Sequence, residues 1–351
     1  MPIKKKLRFT AASALLGLAL TSGLCAQGEP DSRVLRGPVI GLVDDQTAGI
    51  RPILGIPGAA TLGPALLART GLASVAPAPD HDYILAILTE GRQVAIVRNL
   101  STAPGAAVLD VPADPSRIVF SPSGDAAALF YADTARVVAI AGLPGSPAVS
   151  WALDLAGVQG GLAALAISDG GGAVLVAASG QPAPVWMAAS KEGQRFLYAA
   201  TASPSLTFFS GSEDAAIAEA DTGEVVLARD LKGEPKLTRI AVHGEGKLRP
   251  IAIAVSRDNR RIFALSVEPA RLVSIDLSGD EQFSLACSCS PTTLQRMSGG
   301  AVFRLNEPGN GPVWLLDTAS SAPRIVFVPD QARPLRDTGP SRVPRRTGGV
   351  R

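Results

Sequence analysis

Apolar runs of five to eight residues, bounded by Gly, Pro, Asp and Ser, follow one another along most of this chain. No stretch of twelve residues keeps a 3.6-residue apolar period, so the pattern predicts strands and few helices. The phrase "IVFSPSGDAAALFY" (118–131) joins two such runs across a Ser-Pro-Ser-Gly turn, and looser copies return at 208–220 and 253–266. The last apolar residue before each turn gives an anchor: Val75, Phe120, Ile167, Phe209, Val255 and Met297, at separations of 45, 47, 42, 46 and 42. Each anchor ends a strand a, followed by a turn, a strand b, a second turn, a strand c and usually a strand d. In the fifth unit these read "RPIAIAVS", "RRIFALS", "RLVSIDL" and "EQFSLAC".

Four strands recurring every 40–50 residues predict the blades of an all-β β-propeller. One four-stranded sheet cannot bury both of its faces alone, whereas blades stacked around an axis cover each other. That accounts for b and c strands that are apolar at consecutive positions, as in Val174-Leu175-Val176 and Val137-Val138-Ala139-Ile140. The abundant Ala and Gly suit inner strands that converge on a crowded axis. Six units span roughly 70–330, and "GPVIGLVDDQTAGIRPILGIPGAATLG" (37–63) reads as an incomplete further blade. The expectation is a propeller over 37–330 with seven blades, six being the alternative. Its ring would be closed by pairing strands from both chain ends in one blade, with "PRIVFVP" (323–329) supplying or flanking the closure.

The ends of the chain read differently. Residues 1–26 carry Lys4, Lys5, Lys6 and Arg8, then an apolar run at 11–20 and small residues ending at Cys25-Ala26. That is the layout of a secretory signal, too short in its apolar part to span a membrane. Residues 27–36 read as a linker and 331–351, with six arginines among Pro and Gly, as a disordered basic tail. The signal holds four of the 33 basic residues and no acidic one, which leaves 29 basic against 31 acidic, a net charge of −2. Such a balance gives no support to a nucleic-acid partner. The expected location is periplasmic or extracellular, with no membrane-spanning segment once the signal is removed.

The phrases "FSPSGDAAALFYADTARVVAI" and "AVSRDNRRIFALSVEPARLVSIDL" resemble the YVTN/lactonase-like propeller repeats of secreted bacterial proteins, and more loosely WD-repeat-like blades. "GIRPILGIPGAATLG" and the ending "CSCSPTTL…AVFRL…VWLLD…VFVP" are similar to exported proteins of soil bacteria. The resemblance spans nearly all of the chain after the signal. It implies a fold and a compartment, not an activity, because propellers host unrelated functions. In the lactonase-type enzymes it also implies acidic and amide metal ligands from several blades, and no such set is matched here residue by residue; the chain has four asparagines, Asn99, Asn259, Asn306 and Asn310.

Candidate chemistry is sparse. Asp80, His81 and Asp82 form the densest polar cluster, able in principle to hold a metal or relay a proton. They also fall on an a–b turn, matching Ser123-Gly124-Asp125, where Asp serves to bond nearby amides. With two histidines, His81 and His243, a multi-histidine site is excluded, and no G-x-S-x-G elbow accompanies either. Asp44, Asp45, Asp221, Glu224, Asp258 and Asp276 are spread over several units; a carboxylate ring at the channel mouth would take Ca²⁺ through oxygen ligands, and turn capping is the alternative. Trp151, Trp186 and Trp314 on c or d strands read as seam packing. Cys287 and Cys289, two apart, are candidates for a local disulfide, with free thiols as the alternative. Two function readings follow. One is a secreted non-catalytic binding or scaffold module, without a cofactor, for another envelope or extracellular protein. The other is a lactonase-like hydrolase with a cation, Ca²⁺ for example, at the channel mouth.

Overall fold

A computed structural model describes residues 37–329, apart from 157, 159, 160, 244–247, 280, 310 and 321. The expected signal (1–26), linker (27–36) and tail (331–351) lie outside the described residues. The described chain forms seven antiparallel sheets in sequence order, one per blade. Its sole helical element among the described residues is a single 3₁₀ turn, Asp169–Gly171. Six sheets have four strands and the first has three: β1 (Val39–Asp45), β2 (Gly49–Ile56) and β3 (Ala59–Leu62). The molecule is therefore a seven-bladed β-propeller.

Burial grades outward through each blade as the apolar pattern requires. In the third blade the second strand, Ala126–Tyr131, is buried at every residue. In the second blade the outermost strand, Gly105–Val108, is exposed at every residue. There is no single core. Seven separate apolar clusters form, one in each seam between neighbouring blades. The alternation of the fourth blade's second strand shows how: Val174 and Val176 join the cluster shared with the third blade, whereas Ala173, Leu175 and Ala177 join that shared with the fifth. A strand buried on both faces thus reads as a continuous apolar run.

Among the described residues the ring is closed without the expected shared sheet, and the strand within 323–329 flanks the closure. The strand Arg324–Val328 pairs with Val313–Asp317 as the outermost strand of the seventh blade, and no described strand of that blade enters the first sheet. Closure is made by side chains. Ile40, Val43, Ile53 and Leu62 of the first blade pack on Met297, Val302, Leu315 and Val328 of the seventh. Arg324 Nη2 adds a bond to Pro57 O at 3.2 Å.

Candidate functional site

Inner strands of six blades surround a central channel of about 590 Å³, lined among others by Val75, Val119, Ile167, Thr207, Ala254 and Leu294. Most of these inner strands present small or apolar side chains to the channel, whereas that of the seventh blade brings Gln295 and Arg296. Charged groups enter it at the two mouths.

At the mouth formed by the a–b turns, side chains tie neighbouring turns together. Asp169 accepts from Ser123 N (2.8 Å) on the blade before and Gly211 N (2.7 Å) on the blade after. Asp125 accepts from Gly170 N at 3.0 Å. Asn259 accepts from Ser210 N (2.9 Å) and donates to Ser210 O (2.8 Å). Tyr83 donates its hydroxyl proton to Gly124 O, and burial raises its pKa. Gly124 has φ +79, and a Cβ there would lie 2.6 Å from Pro79 O, so only glycine fits where the two turns cross. Arg296 reaches into the channel, donates to Val255 O and lies 5.6 Å over the Phe303 ring. Desolvation lowers its pKa, partly opposed by the nearby Asp80 and Asp169 carboxylates.

At the opposite mouth stand two ion pairs. Asp44 accepts from Arg69 and, at 3.2 Å, from Gln46. Arg304 donates to both oxygens of Glu307 (2.6 and 2.9 Å) and to Gln295. Asp44 and Arg304 are nearly buried, 8% and 4% exposed, and each keeps one polar atom without a partner: Asp44 Oδ1 and Arg304 Nε.

The structure does not bring the sequence-derived metal candidates together. Asp82 accepts from Ser101 N (3.1 Å) and Oγ, His81 packs against the Tyr83 ring (centroids 5.7 Å apart), and Asp80 faces Arg296. Of the wider carboxylate set only Asp44 lines the channel. Asp45 caps the β1–β2 turn, Asp221 meets Arg249, Glu224 meets Arg239, and Asp258 and Asp276 accept from Ser256 and Ser278. Among the described residues no three His, Cys, Asp or Glu side chains form a group able to hold a metal ion. His243 lies past the fifth blade, its N–H bonded to Gln282 at 2.8 Å. Cys287 and Cys289 are joined in a disulfide with Cα atoms 5.1 Å apart, because the chain bends after the strand Gln282–Ala286 instead of staying extended. The tryptophans line blade seams, Trp151 and Trp186 between the third and fourth blades and Trp314 between the sixth and seventh.

Sequence reasoning passed over Arg69, Arg304 and Glu307. The one signal was Arg304 interrupting the apolar run "AVFRL". It also passed over the rim. Each four-stranded blade carries a large exposed apolar side chain on its outermost strand: Val108, Val149, Phe196, Leu237, Phe283 and Phe327. The phenylalanines are exposed by 56%, 48% and 54% in chain order, and Phe196 and Phe327 lie against Trp186 and Trp314 of their own blades.

No protein-family model and no curated protein matches the sequence. The fold is similar to solved propellers at low identity. Virginiamycin B lyase from Staphylococcus aureus matches at 14% identity with a TM-score of 0.53, over 77% of this chain and 87% of its own. A functionally unknown protein from Desulfotomaculum acetoxidans matches at 11% and 0.55, over 82% and 98%. Hsv2 from Kluyvelomyces marxianus matches at 11% and 0.51, over 80% and 92%. These likenesses carry the fold alone. No described helix is long and apolar enough to cross a membrane.

Proposed function

We propose that the protein works outside the cytoplasm as a non-catalytic binding or scaffold module that holds protein partners on the outer edges of its blades. The observation carrying this reading is the exposed apolar side chain on the outermost strand of each four-stranded blade. An outer strand offers unpaired N–H and C=O groups, and apolar residues beside them favour strand-wise contact with another chain. The carboxylates at the turn mouth support the same reading, since Asp82, Asp125 and Asp169 are engaged in holding turns and blades together. Export is supported by the signal-like pattern at 1–26, by the YVTN/lactonase-like phrasing of the repeats and by a disulfide, a bond favoured in oxidising compartments. A lyase among the similar folds does not lend its activity at 14% identity.

The test is photo-crosslinking from a phenylalanine analogue placed at 196, 283 or 327, with position 123 at the channel mouth as control, in envelope extracts of the producing cells. One and the same protein should be captured from at least two rim positions, competed by unlabelled protein and lost on Phe196→Asp with Phe327→Asp. Capture no stronger at the rim than at position 123, together with chelator-sensitive turnover of a lactone panel, would replace this reading by the hydrolase.

A further inference from the structure

The channel is sorted by charge along its length. At the mouth away from the a–b turns its charged side chains stand in pairs, Arg69 with Asp44 and Arg304 with Glu307. Between the mouths the walls are apolar, with Val75, Val119, Leu206, Ala254 and Leu294. Arg296 lines the channel toward the a–b turns and is half-buried, yet it makes no ion pair among the described residues. Its Nη2 donates to Val255 O, and the guanidinium lies over the Phe303 ring. Unlike Arg304, it has no nitrogen that is both buried and unbonded, so its remaining N–H groups open on the channel that it lines.

A partly desolvated guanidinium that meets only a carbonyl and a ring lacks the counter-charge such a group calls for. The neighbouring carboxylates do not supply it. Asp169 is held by the Ser123 and Gly211 amides, and Asp80 acts on Arg296 from beyond ion-pair reach. Arg257 stands at the same mouth and adds to the positive field. The planar fork of a guanidinium matches a carboxylate, which takes two N–H bonds at once. The Asp80 carboxylate would repel a second negative charge, which disfavours a dianion such as a phosphate monoester. Beyond Arg296 the apolar walls suit an apolar body.

We infer that the central channel binds a small monocarboxylate with an apolar body, its carboxylate on the open N–H groups of Arg296 and its body along the inner strands. The site goes beyond the rim reading and does not depend on it. A channel of about 590 Å³ falls among the volumes of small-molecule sites, roughly 300–1,000 Å³. The acid end lies toward the a–b turns, because the charges at the other mouth already neutralise one another and offer no second anchor of either sign. Specificity then has two parts: the sign of the head group is read by Arg296, and the body is selected by the apolar walls.

The experiment uses the purified full chain and octanoate, with octanol, octylammonium and acetate to separate the effects of charge, sign and body. Calorimetry should give one octanoate per protein, bound about ten-fold or more tighter than octanol or acetate, and no binding of octylammonium. Arg296→Met keeps an apolar stem over Phe303 and removes the charge. It should weaken octanoate about ten-fold and leave the weaker binding of octanol unchanged. Arg296→Lys should restore part of the loss, because an ammonium keeps the charge without the fork. If Arg296→Met does not fold, Thr207→Trp, which narrows the channel and leaves Arg296 in place, should abolish octanoate binding. Absence of saturable binding overturns the inference, as does equal binding of octanoate and octanol. Octanoate binding that survives both Arg296→Met and Thr207→Trp lies elsewhere on the molecule and overturns it equally. The Phe196→Asp, Phe327→Asp variant should bind octanoate normally, so failure of the rim reading and failure of this site are separable.

Discussion

Asp45 ends β1, caps the turn into β2 and shows what most acidic side chains here do. Burial alone would raise its pKa, but hydrogen bonds from the Thr47 hydroxyl, the Ala48 and Thr47 amides and Arg51 prevail and hold it at about 2 against 3.8. A carboxyl with a depressed folded pKa contributes stability that is complete above its unfolded value and is lost as pH falls toward the folded one. Asp258, through Ser256 first, and Asp276, through Ser278 first, are lowered in the same direction. Denaturant melts should therefore lose stability between about pH 4 and pH 2, and Asp45→Asn should flatten part of that slope while lowering the plateau at pH 7. An unchanged slope would remove the turn from the acid response. Glu219 is a different case, fully buried on a second strand and held by Arg239 Nη1 (3.2 Å) and Thr201 N (3.3 Å). Truncating Arg239 to Met strands a buried carboxylate, and urea melts should show a loss of about 2–3 kcal/mol. Adding Glu219→Gln should recover part of it, since the penalty comes from the unpaired charge and not from the missing guanidinium stem.

Individual strands were legible because burial on both faces leaves a mark in one dimension. The anchors Phe120, Ile167 and Val255 end inner strands, Phe209 and Met297 directly follow them, and Val75 lies inside one. Turns were legible for a related reason: a residue such as Gly124 is demanded by local geometry, here the passage of Pro79 O beneath it. Sites were less so. Asp80, His81 and Asp82 are consecutive, yet their side chains leave in three directions, toward Arg296, Tyr83 and Ser101. Asp44 and Arg304 are 260 residues apart in sequence and meet at one mouth only because the ring brings the first and seventh blades together. Nor did the apolar pattern reveal that the first blade has three strands among the described residues, none of them lining the channel as an inner strand does. "VIGLV" is buried on both faces and reads the same whether or not another strand lies beside it.

Closure of the ring sets how the whole molecule opens. Six seams are crossed by the chain itself, since each outer strand leads on to the inner strand of the next blade. The seam between the seventh and first blades has no described chain crossing and no shared sheet; it rests on the cluster around Val43, Met297 and Val302 and on the Arg324–Pro57 bond. A seam of side chains alone can separate without breaking a ladder, so its partial opening costs less than global unfolding. Native-state hydrogen exchange should find the amides of β2 and β3 exchanging through a lower-energy opening than those of Ala173–Ala178, whose blade is flanked by chain-crossed seams on both sides. Val43→Ala should widen that difference, because it removes packing from the closing seam. Equal protection in both blades would mean that side-chain packing closes the ring as firmly as the chain does elsewhere.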